Sequence, residues 1–174
     1  QPLLSPYNCT PGLIVFAVPY MSLSGGDRED QGLRLIVSSL RRVPNECLST
    51  KIKSCNYLNH VLMRMEANEA GADDAIELDL EGYVCEAPGY NVFMAKNGVL
   101  STPRDNVLMG VTRQAVIDLA NEAGTRVAET RIQPFDLYNA DEVFLTSTAG
   151  GIYPVVELDG RRIGSGQPGP LTRQ

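Results

Sequence analysis

The chain has 174 residues, 43% hydrophobic and 21% charged, a balance that packs a core and excludes a disordered or low-complexity polypeptide. A net charge of −6 argues against nucleic acid or an anionic membrane as the main partner, and no apolar run approaches the roughly 20 residues of a membrane-spanning helix. The single histidine, His60, rules out a metal site built from histidines and argues against a Ser-His-Asp triad, so acid–base work falls to lysine, tyrosine or carboxylate.

Four cysteines, Cys9, Cys47, Cys55 and Cys85, share no metal-ligand spacing and read as reduced thiols of an intracellular, cytoplasmic protein. Gln1 to Tyr20 lacks the basic start and cleavage pattern of a secretory signal. Without a secretory context the Asn8-Cys9-Thr10 glycosylation pattern carries no weight. The chain opens without methionine in a loop-like stretch and reads as an excerpt of a longer protein.

In chain order, "GLIVFAVPY" (Gly12 to Tyr20) is an apolar, β-branched run that predicts a buried strand. "MSLSGGDREDQG" (Met21 to Gly32) is polar and glycine-rich and reads as a linker. Leu33 to Ser39 predicts a second strand, and "RRVPNECLSTK" a loop. A helix follows from about Asn56 to Ala70. Leu58, Val61, Leu62 and Met65 are spaced to form its apolar face, Ser54 or Asn56 can cap its start, and Gly71 can end it. "AIELDLEGYVCE" reads as two strands around Glu81-Gly82, and "YNVFMAKNGVLST" as a hairpin turning at Asn97-Gly98. A second helix spans about Thr112 to Ala123, with Val116, Leu119, Ala120 and Ala123 as its buried stripe and Gly124 as its stop. "RVAETRI", "EVFLTS" and "IYPVVELDG" are further strands, the last two joined by a tight "TAGG" turn. Many hairpins with two or three helices predict a mixed, largely antiparallel sheet or barrel of the α+β class.

Four places carry chemistry. At "MGVTRQ", Gly110 permits close backbone approach, and Val111 and Thr112 offer amides and a hydroxyl at a positive helix end, either an anion site or an ordinary threonine cap. At "LTSTAGG", Ser147 and Thr148 set two hydroxyls beside a glycine turn, suited to an anion or simply a polar turn. Glu86 lies in an otherwise apolar strand on the face of Val84. It is either an edge residue or an inward carboxylate that needs a cationic or donor partner. Lys53, alone, reads as a surface lysine. "GSGQPG" matches GxGxxG formally, but Pro168 and Pro170 stand where the helix must begin, so it is a loop. Taken together, a lysine, a carboxylate and two anion-binding turns are the parts that hold pyridoxal 5′-phosphate. The lysine forms the Schiff base, and the carboxylate keeps the pyridinium charged.

The segments "IKSCNYLNHVLMRMEANEAGADDAIELD", "GYVCEAPGYNVFMAKNGVLSTP", "LMGVTRQAVIDLA", "ADEVFLTSTAGGIYPV" and "DGRRIGSGQPGPLTRQ" resemble, in order and over most of the chain, the class IV (fold-type IV) pyridoxal phosphate aminotransferases. That group includes the branched-chain, D-amino acid and (R)-amine transaminases. The resemblance implies a D-amino acid aminotransferase-like α+β fold, chiefly its large C-terminal domain (33–174). Residues 1–20 would be a remnant of the small N-terminal domain, 21–32 an interdomain linker, and the C-terminal helix would be cut off. It implies that Lys53 tethers the cofactor and moves the catalytic proton. Tyr57 bonds the phenolic oxygen, Glu86 pairs with the pyridine nitrogen, and Leu108 packs on the ring. Val111, Thr112 and Thr148, with Ser147 less directly, bind the phosphate, and the amides of Thr148 and Ala149 hold the substrate carboxylate. Tyr90 and Asn91 line the turn after Glu86. Neither Arg41 nor Arg42 is assigned the family's phosphate-binding arginine, which comes from the small domain. The implied activity is amino transfer between a branched-chain amino acid or (R)-amine and a 2-oxo acid, in a homodimer, with small molecules as partners and no metal. "NYLNHVL" points to the branched-chain group, whereas "TAGGIYP" and "EAPGYN" point to the (R)-amine group. A β-elimination of the aminodeoxychorismate lyase type and a non-catalytic fragment are the alternatives.

Overall fold

A computed structural model describes residues 7, 9–17 and 31–174. Positions 21–30 of the predicted linker lie outside these, as do 18–20 of the first predicted strand. The described part of that strand, 12–17, is not a strand at all. Leu13, Ile14, Val15 and Phe16 are 79–87% exposed, so their apolar run finds no cover among the described residues.

The elements follow as β1 (Leu33–Arg41), α1 (Leu58–Glu69), β2 (Asp74–Leu78), β3 (Glu86–Ala87), β4 (Tyr90–Lys96), β5 (Val99–Pro103), α2 (Val111–Glu122), β6 (Arg126–Thr130), α3 (Pro134–Tyr138), β7 (Glu142–Ser147), β8 (Gly151–Leu158) and β9 (Arg161–Arg162). One sheet runs β2-β1-β8-β7-β4-β5-β6, with β3 on β4 and β9 on β8. β1 pairs in parallel with both β2 and β8, and β5 with β6; the other pairings are antiparallel. The mixed α+β expectation therefore holds.

The sheet curls back on itself. Val84, just ahead of β3, bridges Leu78 of β2, and Cys85 N–H donates to Glu77 C=O over 2.9 Å. The path β2-β1-β8-β7-β4-β3 thus returns to β2. Its interior is one apolar cluster including Leu33 and Leu35, Ile76 and Leu78, Val92 and Met94, Val143 and Leu145, and Tyr153 and Val155. Alternate residues point outward. Phe93 and Phe144 stack at 5.1 Å under Val116 and Ile117 of α2, and Ala75 packs under Met63 and Ala67 of α1. Strands covered on both faces need no polar alternation, which is why β2 and most of β4 are buried throughout.

The helix faces correct the sequence reading. Leu58, Val61, Leu62 and Met65 are 44–66% exposed, while Met63 and Ala67 are buried. On α2, Val116 is buried and Ala120 half-buried as expected, but Leu119 and Ala123 face out and the fully buried Arg113 joins the inner face. The first cap is Tyr57 rather than Ser54 or Asn56, with no side-chain cap bond. Gly71 (φ 70°) and Gly124 (φ 76°) do end the helices. The Asn97-Gly98 hairpin forms with both residues at positive φ. In "AIELDLEGYVCE" the second strand shrinks to Glu86–Ala87. The turn before it is held by Asp79 Oδ1, which accepts from the N–H groups of Glu81 and Tyr83, each at 2.9 Å.

Candidate active site

A cleft of about 330 Å³ opens on the outside of the ring, where the ends of β4 and β7 meet the start of α2 and the chain leading into α1. That is the size of a small-molecule site. Its walls include Lys53, Tyr57, Glu86, Leu108, Val111, Thr112, Ser147 and Thr148, so eight expected residues from four separate segments share one concavity. Tyr90 and Asn91 line it too. Ala149, next in the turn, is exposed and is not among the lining residues.

Lys53 enters from the irregular chain before α1. Its Nζ donates to the phenolic oxygen of Tyr57 at 2.7 Å, and the Tyr57 ring meets His60 edge-on at 5.0 Å. Glu86 is 5% exposed. Its Oε2 accepts from Leu108 N–H at 2.9 Å and from Asn91 Nδ2 at 3.2 Å, and its Oε1 lies 2.6 Å from Arg42 Nη1. Burial pushes the Glu86 carboxyl up to about 7, against the pull of Arg42. Asn91 Nδ2 also donates to the Leu108 carbonyl at 2.9 Å. One amide thereby fixes the carboxylate to the loop that leads into α2. A Cβ at 110 would run into Asn91 Oδ1, so glycine there leaves the Asn91 amide in place.

The far end of the cleft is built for negative charge. α2 starts at Gly110 with no capping side chain, leaving N–H groups at the positive end of a three-turn helix. Thr112 is therefore not the cap; it lies inside the first turn, with its Oγ1 3.3 Å from Thr148 Oγ1 across the cleft. Ser147 Oγ accepts from Gly150 N–H at 3.0 Å and tightens the opposing turn. Gly150 also leaves room for the Tyr153 ring.

Sequence reasoning missed several residues. Lys51, His60 and Thr146 line the cleft. Thr146 is 1% exposed and its hydroxyl has no hydrogen-bond partner among the described residues. Behind Glu86, Arg42 Nη1 also lies 2.8 Å from Glu77 Oε2, and His60 Nε2 lies 3.1 Å from Glu77 Oε1. The sequence does carry a signal for Glu77: like Glu86, it is a carboxylate inside an apolar strand.

A Methanocaldococcus jannaschii protein, provisionally named a branched-chain-amino-acid aminotransferase, is 45% identical over 174 residues, 98% of this chain and 59% of its own length. The crystal structure of the Escherichia coli branched-chain amino acid aminotransferase superposes with a TM-score of 0.87 at 40% identity, covering 90% of this chain and 52% of that one. The Thermobaculum terrenum branched-chain enzyme, solved in its PLP form, gives a TM-score of 0.83 at 38% identity over 90% of this chain and 51% of its own. The chain spans between half and three fifths of the length of these relatives. Residues 2–158 match the family described as amino-transferase class IV, and with that match, and with identities at this level over nearly its whole length, the chain belongs to the class IV aminotransferases.

Proposed function

We propose that this chain carries the cofactor cleft of a pyridoxal 5′-phosphate-dependent transaminase that moves an amino group between a branched-chain amino acid and a 2-oxo acid. The observation that carries the reading is that Lys53 and Glu86 line one cleft with the uncapped start of α2. The residues fit the cofactor. The buried Thr146 hydroxyl wants a partner, the α2 amides and the Thr112 and Thr148 hydroxyls suit a phosphate, and Glu86 suits a protonated ring nitrogen. The names of the relatives favour the branched-chain substrate class over the (R)-amine class.

Bound there, pyridoxal phosphate supplies the electron sink for amino transfer. The chain's own residues do the rest. Lys53 Nζ would hold the cofactor and would serve as the base that carries a proton to and from the substrate α-carbon. Tyr57 holds that amine and donates toward the ring's phenolic oxygen. Glu86 would anchor the ring nitrogen, and Leu108 would pack against the ring. Val111, Thr112, Thr148 and Ser147 bind phosphate, and the amides of Thr148 and Ala149 take the substrate carboxylate. Residues 33–174 act as the large domain, with 1–20 as the end of a smaller one and 21–32 as the link. A homodimer agrees with the exposed apolar stripe of α1, and a cytoplasmic setting with the free thiols of Cys47, Cys55 and Cys85.

The test is optical. The purified protein with pyridoxal phosphate is expected to turn yellow, bleach on adding a branched-chain amino acid, and recover with a 2-oxo acid. A Lys53→Ala variant that keeps full turnover would refute the assignment.

A further inference from the structure

His60, Glu77 and Glu86 bring potential metal ligands within 4.8 Å of one another, two carboxylates and an imidazole around one point. Such a cage normally closes on a cation. Here the cation is part of the chain: Arg42 Nη1 lies 2.6 Å from Glu86, 2.8 Å from Glu77 and 3.1 Å from His60 Nε2. Arg42 is 8% exposed and Glu77 is fully buried.

We propose that Arg42 is a positioning residue that keeps Glu86 ionised and aimed into the cleft, and that Glu77 is the buried carboxylate that holds Arg42 there. This rests on the reading that Glu86 meets the cofactor's ring nitrogen. The argument is one of charge and geometry. Glu86 uses Oε2 on the Leu108 N–H and the Asn91 amide, bonds that fix its position but bring no full positive charge. A carboxylate this buried takes up a proton unless a cation stands beside it. Arg42, the residue after β1, is the cation on its other oxygen. Alone, Arg42 would itself be a buried unpaired charge; burial lowers its pKa, and Glu86 and Glu77 together outweigh that. Burial lowers the His60 pKa, which favours its uncharged form beside Arg42, and its Nε2 lies 3.1 Å from both Arg42 Nη1 and Glu77 Oε1. The cluster therefore sets two carboxylates against one guanidinium, and a protonated pyridine bound at Glu86 supplies a second cation. Arg42 Nη1 carries two N–H groups, one for each carboxylate oxygen at 2.6 and 2.8 Å, and a guanidinium stays charged where burial deprotonates a lysine.

The experiment measures pyridoxal phosphate affinity and the visible absorption of the bound cofactor in the holoprotein, for the parent, Arg42→Met, Arg42→Lys, Glu86→Gln and the double variant Arg42→Met/Glu86→Gln. Losing a charge-assisted contact predicts a rise in Kd of about tenfold to a hundredfold for Arg42→Met, with its absorption spectrum moving to that of Glu86→Gln. Arg42→Lys is expected to recover part of both, and it carries the test if Arg42→Met does not fold. In the Glu86→Gln background, Arg42→Met is expected to add little, because Arg42 acts through Glu86. Additive losses in the double variant, or an Arg42→Met protein with the parent's affinity and spectrum, overturn the proposal. A Glu86→Gln protein that binds pyridoxal phosphate as the parent does overturns instead the reading beneath it.

Discussion

The Lys53 amine and the Tyr57 hydroxyl are joined by a 2.7 Å hydrogen bond, although the two residues are four apart in chain that is not yet helical. What fixes the pair is Tyr57's position as the first cap of α1, with its ring braced edge-on by His60 at 5.0 Å. Tyr57→Phe keeps the brace and deletes the bond. It is expected to lower turnover by about tenfold to a hundredfold, the worth of one charge-assisted hydrogen bond, while the thermal midpoint stays close to the parent's. Steady-state kinetics beside a melting curve checks this, and unchanged turnover would remove the tyrosine from the mechanism.

Gly110→Ala drives a methyl into the Asn91 amide, and Asn91 ties Glu86 to Leu108. Overpacking of this kind costs about 1–3 kcal/mol. The expected result is a lower urea midpoint together with weaker pyridoxal phosphate binding. Weakened stability with intact binding would mean that the Asn91 bridge is dispensable to the site.

Thr146→Val swaps an unpartnered buried hydroxyl for a methyl of nearly the same shape. Without cofactor, no hydrogen bond is lost, so stability is expected to hold or rise slightly. With cofactor, affinity is expected to fall by about three- to tenfold, because the hydroxyl can no longer bond the ligand. Titration of both proteins with pyridoxal phosphate decides; equal affinities would show that this hydroxyl faces no ligand group.

Met63 and Met65 lie two positions apart on α1, one 0% and the other 51% exposed. Met63→Ala opens a cavity beneath the helix and is expected to cost about 2–5 kcal/mol. Met65→Ala is expected to stay within about 0.5 kcal/mol when measured on dilute, monomeric protein. Equal costs in denaturant unfolding would mean that the helix is turned the other way.

Asp74 is 1% exposed, and burial pushes its carboxyl up to about 6 despite Arg64 at 2.6 Å. A raised folded-state value means that the folded protein holds this proton more tightly than the unfolded chain. The associated stability is complete below about pH 4 and is lost as pH rises through about 6. Asp74→Asn cannot ionise. Its stability relative to the parent is therefore expected to rise from pH 4 to pH 7, by no more than about 3 kcal/mol. Urea unfolding across that range checks the sign; a difference that is flat or runs the other way would mean that Asp74 titrates normally.

The hairpin at Asn97-Gly98, the stops at Gly71 and Gly124 and most strand runs were legible because each is decided by a few neighbouring residues. The turns at Val111-Thr112 and Ser147-Thr148 were legible as anion-binding candidates for the same reason, whereas Tyr57 and Leu108 entered only through the family resemblance. The inner face of α1 was not legible. Its helix carries two apolar stripes, and spacing cannot say whether Met63 and Ala67 or Leu58, Val61, Leu62 and Met65 meet the sheet. Ala75 and Ile36 decide it, from other strands. Arg42 escaped for the same reason: nothing near it in the chain announces Glu86 or Glu77, which reach it only through the pairing of β1 with β2 and the return of the chain into β3.

The strand ring has a consequence for how the protein is made. Val37 of β1 donates to Asp159, 122 positions later, and β1 has no second neighbour until β8 arrives. Closure of so long a loop is slow. A chain emerging from the ribosome keeps one edge of β1 open, and the apolar lining wet, until β8 has been synthesised. Refolding from denaturant should accordingly be slow and prone to aggregation at high concentration, and holdase chaperones should raise the yield.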